Sequence, residues 1–145
     1  MGTSYDGVYM FGSLALNTEE GWAEETLAAL GTDLADDFDL HRWLDRHLGV
    51  KAWRDYPDYK AYQAAREAAQ VAAFGCTFME ARLGYCEYAI CGVCPVDAHV
   101  SAWRGGRVPP WTAEQIEHWR ACMERLRAVL PGLDEPGLRF GCSVG

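Results

Sequence analysis

Not one lysine or arginine occurs between residues 1 and 41 of this 145-residue chain, yet Asp6, Glu19, Glu20, Glu24, Glu25, Asp33, Asp36, Asp37 and Asp39 all fall there. This segment alone carries more negative charge than the net −8 of the whole molecule, which sets 13 basic residues against 21 acidic ones. A phosphate backbone is repelled by such a field unless a local basic patch overcomes it, so direct nucleic-acid binding is not expected. Also missing is any apolar run of membrane-spanning length: the stretch from Val71 to Cys76 is far short of the ~20 residues that a bilayer requires. The first residues, Met1 to Asp6, show neither the basic cluster nor the apolar run of a secretory signal, and Asp6 stands where a myristoylation signal needs Ser or Thr. The expectation is a cytoplasmic, unanchored protein with no membrane partner. In that compartment the cysteines at 76, 86, 91, 94, 122 and 142 are thiols, metal ligands or core residues rather than a disulfide framework.

Familiar catalytic signatures are absent as well. There is no Walker phosphate loop, no G-x-S-x-G, no H-E-x-x-H and no dinucleotide fingerprint, which favours a binding protein over an enzyme. No internal repeat, linker or low-complexity segment divides the chain. With half its residues apolar, 12% aromatic and 23% charged, the composition is that of an ordinary globular protein, and the length suits one domain over residues 1–145.

Periodicity supplies the elements. Residues 5–16 alternate, with Val8, Met10, Leu14 and Leu16 on one face and Tyr9, Phe11 and Ala15 on the other, as in a strand covered on both sides. Asn17 and Glu20 form a capping-box pattern for a first helix through Trp22, Thr26, Leu27 and Leu30, with Gly31 as its stop. A second helix is expected around residues 37–48, ending at Gly49, and a third from Pro57 or Asp58 through Ala73, ending at Gly75. Residues 76–82 and 85–91 read as a hairpin turning at Leu83-Gly84, and residues 98–103 as a further short strand. After Pro109-Pro110, Thr112 and Gln115 make a second capping box with Trp111 and Ile116 as a hydrophobic staple. Ile116, Trp119, Met123, Leu126 and Leu130 then form one apolar stripe until Pro131-Gly132. Leu138, Phe140, Cys142 and Val144 alternate as a half-buried last strand. The sum is an α+β fold: a mainly antiparallel sheet packed against three to four helices.

Two sites follow from this reading. The acidic N-terminal surface, represented by Glu19, Glu20, Glu24, Glu25, Asp33, Asp36, Asp37 and Asp39, is suited to steer a basic protein partner, as an inhibitor, immunity or regulatory protein would. The blander account is a solvated helix and loop that keep the protein soluble. The run from Asp33 to Asp39 lacks the spacing and the central glycine of a calcium loop.

The alternative function is metal binding. Cys91-Gly92-Val93-Cys94 is a C-x-x-C pair followed by His99, and a two-residue turn at Leu83-Gly84 sets Cys76 directly opposite Cys91. Cys76, Cys91, Cys94 and His99 would then surround one structural zinc ion, the only cofactor the sequence suggests. Partial spacing matches to plant-type ferredoxins (Cys86, Cys91, Cys94), to the first cysteine motif of nickel-iron hydrogenase large subunits (Ile90 to Pro95) and to a zinc knuckle each stop within a few residues. None assigns a family. Two helical stripes, Asp37/His41/Asp45 and Glu114/His118/Cys122, also set a histidine one turn from acid or thiol groups, and read first as solvated faces.

Overall fold

The computed structural model describes residues 5–14, 24–31, 39–83, 88–93, 99–101 and 110–144. Among them β1 (Tyr5–Leu14) is the central strand. Along one of its edges runs β5 (Gly137–Val144), paired from Tyr5 with Val144 to Gly12 with Gly137. Along the other edge lie β3 (Tyr88–Val93), against residues 11–14, and the short β4 (His99–Ser101), against residues 6–8. β2 (Met79–Leu83) extends the sheet outside β3, and every pairing is antiparallel. β2 and β5 stand at opposite ends of the path β2-β3-β1-β5, yet they approach one another, so the sheet curls. Curling explains why neighbouring residues on opposite faces of β1 are both inside: Met10 is 0% and Phe11 1% exposed. The alternation of β1 therefore gives a strand covered on both sides, as expected.

At one point the strands are too close for a side chain. A Cβ on Gly92 would lie 2.2 Å from the Phe11 carbonyl oxygen and 2.5 Å from the Gly12 Cα, far inside van der Waals contact. Glycine faces glycine there, since Gly92 of β3 pairs with Gly12 of β1. Only a residue without Cβ permits this approach.

Among the described residues four helices accompany the sheet: α1 (Glu24–Leu30), α2 (Leu40–Leu48), α3 (Tyr59–Phe74) and α4 (Ala113–Arg127). Their ends follow local chemistry. Asp39 and Asp58 cap α2 and α3 by accepting the backbone N–H of Arg42 and Ala61, and left-handed Gly49 and Gly75 close the two helices. Thr112 and Gln115 complete the expected capping box of α4. Trp111 then packs edge-on against Trp119, with ring centroids 5.2 Å apart, and both Trp111 and Ile116 lean on the core.

The apolar stripe of α4 drives the packing. Trp119, Met123, Leu126 and Leu130 are buried in one cluster with Phe11 of β1 and Leu40, Trp43 and Leu44 of α2. Each such side chain contributes about 1.5–3 kcal/mol on leaving water. Polar contacts fasten the edges of this cluster. Thr26 of α1, fully buried, donates to the Pro131 carbonyl at 2.7 Å. Asp134 accepts the Leu14 N–H at 2.8 Å, returns its own N–H to the Leu14 carbonyl, and pairs with Arg139.

Two expectations change. The hairpin does not turn at Leu83-Gly84: Leu83 pairs with Tyr88, so residues 84–87 form the connection. Glycine marks a turn but does not fix its length: Arg82 pairs with Ala89 rather than Tyr85, and every partner along the hairpin shifts by four residues. The last strand is not half-buried from its start, because Leu138 is 56% exposed. The Asn17/Glu20 capping pattern falls outside the described residues, as do all of residues 15–23.

Candidate functional site

Of the acidic candidates, Glu24 and Glu25 lie in the first turn of α1, where the helix dipole favours negative charge, and both are exposed. Asp39 is exposed too, though its Oδ1 is committed to the Arg42 N–H at 3.0 Å. Glu19, Glu20, Asp33, Asp36 and Asp37 lie outside the described residues.

The four proposed zinc ligands are not arranged as the two-residue turn required. In the observed register Cys91 stands opposite Glu80 on β2 and Ser13 on β1, not opposite Cys76. Cys76 precedes β2 altogether, just after the glycine that ends α3. His99 pairs with Val8 in β4, and Cys94 lies outside the described residues. Among the described residues no group of three or more His, Cys, Asp or Glu side chains is placed to hold a metal ion.

Cys76 has a different neighbour, which sequence spacing did not suggest. It sits beside Cys122 of α4, both as free thiols, and Cys122 Sγ is 3.8 Å from His118 Nε2. Gly75 lets the chain pass directly over this cluster: a Cβ there would be 2.9 Å from Arg125 Nη1 and 3.2 Å from Cys122 Sγ. Burial first, and then the contact with Cys122, push the Cys76 thiol far above the usual thiol range. A thiol held protonated is a poor nucleophile and a poor ligand. The Glu114/His118/Cys122 stripe thus resolves into a buried thiol, Cys122, beneath an exposed histidine.

The other stripe, Asp37/His41/Asp45, opens onto something more structured. Asp45 is gripped from α3: Arg66 donates Nε to Oδ1 at 3.0 Å and Nη2 to Oδ2 at 2.9 Å, while the Tyr62 hydroxyl donates to Oδ2. The Arg66 guanidinium also lies over the Tyr62 ring, 4.8 Å from its centroid. Burial first, and then the hydrogen bond to Asp45, push the Tyr62 phenol up to about 12. His41, half-buried on the same side of α2, has its Nδ1 sealed from solvent without a hydrogen bond among the described residues. Burial, then the Arg66 charge, lower its pKa against the opposing pull of Asp39 and Asp45. Around these groups α2, the segment after it and α3 enclose an open cavity of about 630 Å³. The signal was present in the sequence as Tyr62 and Arg66, spaced by four along one face of α3. What it could not show was that Asp45 of another helix meets that face.

Among the described residues no helix is long and apolar enough to cross a membrane. The chain matches no known protein family, no curated protein and no solved structure, so its function has to be argued from its own residues.

Proposed function

We propose that this chain is a small cytoplasmic binding protein, of inhibitor, immunity or regulatory type, that engages a basic protein through its acidic N-terminal region. The observation that supports it is the segregation of charge: nine carboxylates and no Lys or Arg before His41, in a chain of net charge −8. Exposed Glu24 and Glu25 present part of that charge on the first turn of α1. A field of one sign accelerates encounter with an oppositely charged surface and weakens as salt screens it.

The test is kinetic. A basic protein captured by the chain is purified, and its association rate is measured across salt concentrations with the native chain and with Glu19, Glu20, Glu24 and Glu25 all changed to Lys. The proposal expects at least a tenfold slower association and a flatter salt dependence, a steering effect within the usual range. An unchanged on-rate would reduce the acidic region to a solubility device.

A further inference from the structure

We propose that the cavity between α2 and α3 binds a small anion carrying a planar ring. Its volume, about 630 Å³, falls within the ~300–1,000 Å³ of small-molecule sites. Its charge runs against that of the molecule. Among the described residues Arg42, Arg46, Lys51 and Arg66 line it together with Asp39 and Asp45, in a chain that is strongly acidic overall.

The hydrogen bonding decides the sign of the ligand. Both oxygens of Asp45 are taken by Arg66 and Tyr62, and Asp39 caps α2 through its Oδ1. For a cation this leaves Asp39 Oδ2 as the one carboxylate oxygen outside these contacts among the described residues. The side chains of Arg42 and Lys51, by contrast, make no hydrogen bond or ion pair among the described residues, so an anion would find donors unclaimed.

The planar ring is argued from Trp53. It lines the same cavity and is 62% exposed, which leaves much of a large aromatic ring uncovered. An indole beside guanidinium groups stacks on a flat ring while the cations take the charge. His41 lines the same cavity, and burial lowers its pKa, so it adds an uncharged ring there near pH 7.

Adenosine monophosphate, inorganic phosphate and adenosine serve as probes, titrated into the full chain while backbone amide and indole NMR shifts are recorded. Adenosine monophosphate should give saturable shifts at the Trp53 indole and along residues 39–53. Phosphate alone and adenosine alone should bind at least tenfold more weakly, since each keeps half of the recognition, and tenfold corresponds to about 1.4 kcal/mol. Arg42→Gln with Lys51→Gln should weaken adenosine monophosphate about tenfold or more, and Trp53→Ala should remove its advantage over phosphate. Both sets of side chains are exposed, so the fold is retained, and unchanged amide dispersion checks this. Equal binding of phosphate and adenosine monophosphate overturns the ring. Absence of saturable shifts, shifts confined to other elements, or indifference to the Arg42/Lys51 changes overturns the site.

Discussion

Helices α3 and α4 are nearly equal in length, 16 and 15 residues, but they are attached to the body in opposite ways. α4 buries Trp119, Cys122, Met123 and Leu126, whereas α3 buries only Gln70 and Phe74. The alanines of α3 offer little apolar area, and directional contacts take over: Gln70 Oε1 accepts the Phe78 N–H at 2.9 Å, and Arg66 and Tyr62 hold Asp45. Arg125 of α4 adds a bond from Nη1 to the Phe74 carbonyl at 3.0 Å. A hydrophobic seam closes because every atom gains by contact. A polar seam needs only its few bonds satisfied, so it leaves space between them, and the α2–α3 cavity is that space.

The largest effect should come from the apolar seam. Trp119→Ala should cost about 3–5 kcal/mol in denaturant unfolding, because the indole is 9% exposed and its removal leaves a void beside Phe11 and Trp111. A cost below ~1 kcal/mol would mean that the two helices are held alike, and the contrast would fail.

That seam was also the most legible part of the chain. Ile116, Trp119, Met123, Leu126 and Leu130 repeat at helical spacing and Thr112 with Gln115 caps them, so pattern and cap point to the same helix. β1 was legible for the same reason, its alternation being set by one strand alone. The register that set Cys76 opposite Cys91 was not legible, because the turn length decides it and Leu83-Gly84 does not. The neighbours Cys76 with Cys122, and Asp45 with Arg66, join different elements through tertiary packing. No spacing within one element encodes them.

Next in size is the polar seam. Gln70→Leu removes the buried acceptor of the Phe78 N–H and should cost about 1–3 kcal/mol, although it adds apolar volume. A neutral outcome would show that apolar packing can replace the bond, and that α3 does not depend on polarity. Thr112→Ala should cost about 1 kcal/mol by removing one half of the α4 capping box. Its cost should stay well below that of Trp119→Ala if the stripe, not the cap, secures the helix.

The smallest effects are those of pH, and two of them fall on the polar seam. Tyr62 holds its proton more tightly in the folded state, so its contribution is complete below pH 10.0 and is lost as pH rises toward about 12. Tyrosinate absorbance should show one phenol titrating late, and Asp45→Asn should bring it earlier. His41 has the opposite sense: its pKa is depressed by folding, so its contribution is present above 6.5 and is lost as pH falls below that value. Replacing His41 by Gln should remove that acid-side loss from unfolding curves, and an unchanged curve would exclude His41 as its source.

The contact at Gly92 bears on how the Cys91-Gly92-Val93-Cys94 stretch is to be understood. A C-x-x-C spacer in a metal knuckle uses glycine to turn the backbone around an ion, whereas here the residue sits in a strand with a carbonyl oxygen 2.2 Å from the place a methyl group would occupy. Saturation mutagenesis at position 92, selected for folded protein in the presence of a strong chelator, should therefore return glycine alone. Removing the cysteines on either side should leave that preference intact. The most motif-like glycine of the chain is then a record of how closely two strands lie, and it would be kept whatever chemistry its neighbours perform.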